Sequence, residues 1–211
     1  MTAKKLAVVS AGLGQPSSSR LLADRLTEAT VSRLRDPSTG SATDIDVTVI
    51  ELRDLAHDIT NNLLTGFPSP KLDEALAAVT GADGLIAVTP IFTTSYSGLF
   101  KSFIDVIDTQ ALTDLPVLIG ATGGTERHSL ALDYAMRPLF SYLHAVVVPT
   151  SVYAASADWG SAEDDSSLPD RVARAAGELA QLVRDSDRSG RVRDPFTLPA
   201  GFSPVGGFGS Q

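Results

Sequence analysis

The sequence predicts one α/β domain on a doubly wound, five-stranded parallel sheet, and three observations predict it. Short apolar runs alternate along the chain with stretches of helical period. The runs are continuously apolar, as strands buried on both faces require. Five such strand–helix repeats fit within about 150 residues, the size of a sheet in the order 2-1-3-4-5 rather than a six-stranded dinucleotide fold.

Lys5–Ser10 (KLAVVS) is the first strand. Ser17–Arg35 follows as a helix, with Leu21, Leu22, Leu26, Ala29 and Leu34 at roughly helical spacing. Asp46–Leu52 is the second strand and Leu72–Thr80 a short helix. Gly84–Thr89 is the third strand, stopped by Pro90. Gly98–Ile107 is a helix with Leu99, Phe103, Ile104 and Ile107 on one face. Pro116–Gly120 is the fourth strand, Glu126–Leu143 a helix, Ala145–Val148 the fifth strand and Asp170–Arg184 the closing helix. Right-handed crossovers wind these units into a doubly wound sheet, and five strands in this length match the flavodoxin-like order 2-1-3-4-5.

The expected domain spans residues 1–188. Asp36–Asp44, rich in Pro, Ser, Thr and Gly, is a flexible excursion before the second strand. The acidic run Glu163–Asp165 belongs to a solvated loop. The Gly- and Pro-rich tail over residues 189–211 is expected to be disordered or laid along a partner.

Composition narrows the function classes. A formal net charge of -8 argues against general nucleic-acid binding, which needs a basic face. Absence of cysteine excludes disulfides, thiolate metal sites and thiol nucleophiles. Three histidines without HExxH-type spacing give no basis for a catalytic metal. No apolar run reaches the roughly 18 residues of a membrane span, and no signal peptide is evident, so a cytoplasmic protein is expected.

In open parallel sheets, ligands bind outside the carboxyl ends of the strands. Three segments occupy that edge. Ser10–Arg20 (SAGLGQPSSSR) opens a helix with small residues and hydroxyls, suited either to an anion or to a plain serine cap. It is neither a Walker A loop nor GxGxxG. Thr89–Gly98 (TPIFTTSYSG) places Phe92 and Tyr96 on a strand-end connection, where they could meet a planar ligand or pack inward. Gly120–His128 (GATGGTERH) carries a Gly-Gly pair that lets main-chain amides approach a ring edge, or simply makes a tight turn.

Together these segments resemble the NADPH-dependent FMN reductases, and most closely the small reductases that supply reduced flavin to two-component monooxygenases such as alkanesulfonate monooxygenase. The resemblance covers about Leu6 to Ala155. It rests on Thr89-Pro90 with Ser95–Lys101 (SYSGLFK), and on Ala121–Thr125 (ATGGT) with His128, Asp133–Ala135 and Pro138. Phe92 stands where that family usually has Tyr, which removes a hydroxyl but keeps a flat surface. The resemblance implies that Ser17 and Ser19, with Ser10 and Gln15 nearby, hold the FMN phosphate. It implies that Pro90, Ile91, Phe92 and Thr93 line the isoalloxazine, and that Thr122, Gly123, Gly124 and Thr125 meet its pyrimidine edge. Hydride would pass from NADPH or NADH to flavin N5, with no catalytic side chain required.

Pro138 interrupts the helical pattern of Glu126–Leu143 and should clash with the carbonyl of Tyr134. The helix must end, kink or take the extra residue of a π turn. The resemblance places this tyrosine on a π turn at a subunit interface near the flavin, and makes Tyr134 a possible modulator. It also implies a homodimer or homotetramer and a monooxygenase partner. Two alternatives stay open from the sequence: a quinone or azo-compound reductase with tightly held FMN, and a non-enzymatic flavodoxin-type electron carrier.

Overall fold

The structure is a computed structural model that describes residues 3–36, 38, 43–159 and 167–188. Most of the excursion before the second strand, the acidic run Glu163–Asp165 and the tail from residue 189 lie outside the described residues.

The strands are β1 (Lys4–Ser10), β2 (Ile45–Glu51), β3 (Gly84–Phe92), β4 (Ser95–Tyr96), β5 (Pro116–Gly123), β6 (Val146–Val147) and β7 (Val152–Ala155). The helices are α1 (Ser18–Arg35), α2 (Ala56–Thr65), α3 (Pro70–Thr80), α4 (Gly98–Asp105), α5 (Arg137–Tyr142) and α6 (Leu168–Asp185). The main sheet runs β2-β1-β3-β5-β6, all parallel, with β4 paired to β3 and β7 to β5. This is the expected 2-1-3-4-5 order, with two differences that raise the strand count. The fifth strand is broken near Pro149. Its first piece pairs with Pro116-Val117, and its second resumes along the same edge opposite Gly120–Gly123. The other addition is β4, the returning arm of a hairpin.

That hairpin corrects the expectation that Pro90 stops the third strand. Pro90 lies inside β3, opposite Thr122. β1 leaves β3 at the Ser10–Val88 pair, and Ala11 closes that edge by donating to the Val88 carbonyl. Pro90, two residues on, turns its nitrogen to the same side, where β1 has already departed. A missing amide hydrogen therefore costs no ladder bond there.

Strand side chains alternate between two cores. Leu6, Val8, Ile86, Val88 and Leu118 pack under α1 and α6, against Leu22, Leu26, Leu179 and Val183. Ala7, Val9, Leu85, Ala87, Val117 and Ile119 pack on the other face, against Ile59, Leu72, Val79, Phe100, Phe103 and Phe140. Each fully buried phenylalanine contributes on the order of 1.5–3 kcal/mol. Leu21, placed by its period on the buried stripe of α1, is exposed. α2 has no counterpart in the sequence reading. Its apolar residues are few, with Ile59 buried and Leu63 and Leu64 exposed.

The helix expected over Glu126–Leu143 is not continuous. It divides into a 3-10 turn (Glu126–His128), a π turn (Leu132–Met136) and α5. Pro138 is the second residue of α5, and the π turn just before it absorbs the lost hydrogen bond. At the amino ends of the strands, opposite the loops just described, Arg188 secures the end of the domain. Its guanidinium donates to the carbonyls of Ala82 (3.0 Å), Thr113 (3.0 Å) and Ala111 (2.5 Å). Among the described residues no helix is long and apolar enough to cross a membrane.

Candidate functional site

The carboxyl ends of β1, β3 and β5 open onto a cleft of about 410 Å³. One end is the β1–α1 loop. Ser17 caps α1 by accepting from the Arg20 amide at 3.2 Å, and the first turn of this 18-residue helix carries no acidic residue. The amino end of the helix thus faces the cleft with its positive pole unopposed. Gly12 allows the loop to close: a Cβ there would stand 1.9 Å from the Ser17 Oγ. Ser19, the second residue of α1, is buried and shares a 2.8 Å hydrogen bond with Thr122 of β5.

The other end is flat and apolar. Pro90, Ile91 and Phe92 form one wall, with Phe92 47% exposed. The hairpin that carries them turns through Thr93 (φ 47°) and Thr94 (φ 74°), a two-residue reversal in left-handed backbone. Its base is fixed by the buried Thr89 hydroxyl, whose Oγ1 accepts from the Ser97 amide at 3.0 Å. Gly123 and Gly124 supply the facing edge as bare backbone, and a Cβ on Gly124 would meet nothing within 4 Å. Thr125 is held from below: its carbonyl accepts from the Tyr153 hydroxyl at 2.7 Å. Burial, then the charges of Asp158 and Glu126, hold the Tyr153 phenol above its ordinary pKa.

Eight of the residues singled out in the sequence line this cleft together: Ser17, Ser19, Pro90, Ile91, Phe92, Thr122, Gly123 and Gly124. Ser10, Gln15, Thr93 and Thr125 do not. Ser10 lies beneath the loop at the end of β1, where its Oγ is buried with no hydrogen-bond partner. Gln15 turns away toward Arg53. Thr93 is in the hairpin turn, and Thr125 is at the rim. Tyr134 stands outside the cleft on the π turn, 80% exposed.

Ser156 and Trp159 also line the cleft, and the sequence reading missed them. They sit on a turn after β7, folded in by Asp158. Its carboxylate accepts from the Ala155 amide at 2.7 Å and from Arg171 of α6 at 2.5 Å. Arg25 of α1 stacks over the Trp159 ring at 5.0 Å. One signal was available, a lone tryptophan in a polar stretch, but nothing local tied it to the distant ends of β1, β3 and β5.

The cleft thus joins an anion-binding end to a flat apolar wall and an open backbone edge, the shape of a phosphorylated planar ligand. Comparison with known proteins agrees. The sequence profile of the NADPH-dependent FMN reductases matches residues 4–160. The chain belongs to this family. An FMN reductase (NADPH) of Pseudomonas aeruginosa is 39% identical over 179 residues, covering 84% of this chain and 91% of that one. The NADH-dependent FMN reductase SfnF of Pseudomonas fluorescens is 37% identical, again over 84% and 91%. Among solved structures, an oxidoreductase from Corynebacterium diphtheriae is 46% identical, with a TM-score of 0.82, over 88% of this chain and 100% of the other. An apo NADH:FMN oxidoreductase is 29% identical, with a TM-score of 0.69 over 88% and 90%. A flavodoxin, WrbA-like protein from Agrobacterium tumefaciens, at 17% identity and a TM-score of 0.59, shares the fold.

Proposed function

We propose that this member of the family is an NAD(P)H-dependent FMN reductase that passes reduced flavin to a partner monooxygenase. The observation that supports it most is the union, in one cleft, of the Ser17-capped helix end with the Pro90–Phe92 wall. When bound, FMN supplies the hydride-accepting chemistry, and the residues present fit it. Ser17 and the α1 amides at the cleft's anion end meet the needs of a phosphate. Pro90, Ile91 and Phe92 would cover one ring face by dispersion. The Gly123-Gly124 backbone and Thr122 would meet the pyrimidine edge, where amide donors suit negative charge. The far side of the cleft is open to solvent, which leaves room for nicotinamide against the ring.

Among the described residues, the cleft lining offers serine and threonine hydroxyls, apolar side chains and bare backbone, groups that bind and orient a ligand. Release of reduced flavin suits a cleft that is shallow and open rather than enclosed. Leu130, Tyr134 and Tyr142 are 62%, 80% and 73% exposed around the π turn and α5, a surface suited to contact between copies in a homodimer or homotetramer.

Steady-state oxidation of NADPH and of NADH with FMN in excess tests the reading. Turnover that saturates with free FMN is expected. Turnover that requires an added quinone or azo compound would replace it with a reductase holding FMN tightly, and no turnover would leave an electron carrier.

A further inference from the structure

Residues 12–16, the outer part of the phosphate loop, are held from a second strand end. Arg53, on the 3-10 turn (Leu52–Leu55) after β2, donates from Nη1 to the Gly14 carbonyl at 3.0 Å. With the Gln15 amide oriented to satisfy both partners, its oxygen accepts from Arg53 Nη2 at 2.8 Å and Nη1 at 3.0 Å. Among the described residues, these are the hydrogen bonds that reach residues 12–16 from outside the loop. Arg53 is itself fixed by Glu51 at 2.9 Å, and Glu51 also pairs with Arg20 of α1 at 2.6 Å. One carboxylate at the end of β2 therefore sets two guanidinium groups, one on the loop and one on the helix the loop feeds. Arg53 and Glu51 are only about a fifth exposed, so solvent screens the pair little. Arg53 does not itself line the cleft, and it reaches the cleft only through Gly14, which does.

We infer that Arg53 is a positioning residue. It holds the Gly14-Gln15 turn in the closed form that presents the loop amides and Ser17 to a phosphate, and so sets the preference for FMN over riboflavin. The inference rests on the FMN reading of the cleft. The physical reason is entropic and geometric. A loop rich in Gly and Ser has many open conformations, and a fork of donors on two adjacent residues removes them before the ligand arrives. Lysine can replace it only in part, because a point charge offers no fixed fork.

The test compares FMN and riboflavin binding, by flavin fluorescence, in the intact chain and in Arg53→Ala, Arg53→Lys and Glu51→Gln. Arg53→Ala is expected to weaken FMN about 10-fold, or about 1.4 kcal/mol, with riboflavin changed less than about twofold. In turnover the loss should fall on KM for FMN rather than on kcat. Arg53→Lys should recover only part of it, and Glu51→Gln should shift FMN in the same direction by less. Equal weakening of both flavins, or no weakening of FMN, would overturn the brace. Full recovery in Arg53→Lys would also overturn it, since charge alone would then suffice. If the unaltered chain bound FMN no better than riboflavin, the phosphate reading itself would fall, a result visible without any variant. Should Arg53→Ala not fold, Arg53→Lys and Glu51→Gln still decide.

Discussion

Ser19 and Thr122, 103 residues apart, share a buried hydroxyl–hydroxyl hydrogen bond of 2.8 Å, and it joins the first turn of α1 to the end of β5. The anion end and the ring end of the cleft are thereby set at a fixed spacing. Ser19→Ala should strand the Thr122 hydroxyl and cost about 1–2 kcal/mol of stability. FMN affinity should fall as well, because the two ends lose their register. A double-mutant cycle with Thr122→Val checks this: a coupling energy near zero would mean the pair does not set the spacing.

Gly12 and Gly124 make opposite predictions for the same substitution. A Cβ at Gly12 would lie 1.9 Å from Ser17 Oγ and 3.2 Å from Ser19 Cβ, so Gly12→Ala must turn the Ser17 hydroxyl off its cap or open the loop. Both FMN affinity and melting temperature should drop. A Cβ at Gly124 meets no protein atom within 4 Å. Gly124→Ala should melt like the parent, and any loss of flavin affinity there reports on the ligand alone. Calorimetry alongside FMN titration separates the two cases.

The sheet was legible in the sequence because a doubly buried strand must be apolar throughout, and that signal survives without knowledge of its neighbours. The residues brought into the cleft were legible where they lie on strand ends, as with Pro90–Phe92 and Thr122–Gly124. What escaped depended on tertiary geometry. Pro90 belongs inside β3 because β1 leaves the sheet at Val88, a fact of register rather than of local propensity. Gln15 faces Arg53 because a 3-10 turn 38 residues later ends beside the loop. Trp159 reaches the cleft because Arg171 and Asp158 fold its turn inward. For Pro138 the sequence left a π turn and a kink open, and the backbone takes the π turn.

Thr93 and Thr94 hold φ values of 47° and 74°, which β-branched residues rarely adopt. The hairpin's two-residue turn favours Asn-Gly. Replacing the pair by Asn-Gly should stabilise the protein by about 1 kcal/mol, raising Tm by roughly 2–4 °C. Because the turn carries Phe92 into the cleft, the FMN KM should change little if the wall is already rigid. An unchanged or lowered Tm would show that the turn is unstrained.

Tyr153 predicts an alkaline weakness. Its phenol is held above the ordinary value by burial first, so the folded state keeps its proton longer than the unfolded chain. Stability is therefore full below the unfolded phenol pKa, about 10, and falls as pH rises from there toward the folded value. Tyr153→Phe should remove that slope. At neutral pH it should cost about 0.5–1.5 kcal/mol through the lost bond to the Thr125 carbonyl. Urea melts at pH 8 and above 10 read both effects.

Trp159 offers the most direct optical test, since it is the chain's single tryptophan and lines the cleft. Flavin bound in the cleft would stand within a few side-chain lengths of the indole and accept its excitation, so FMN titration should quench tryptophan emission with the same midpoint as the flavin signal. Trp159→Phe should abolish the emission while retaining most of the apolar wall. Asp158→Asn should weaken FMN binding and reduce the quenching together, because the Arg171–Asp158 pair is what folds the turn inward. Flavin binding with unquenched tryptophan would place the ligand elsewhere and remove the cleft from consideration, whatever the turnover.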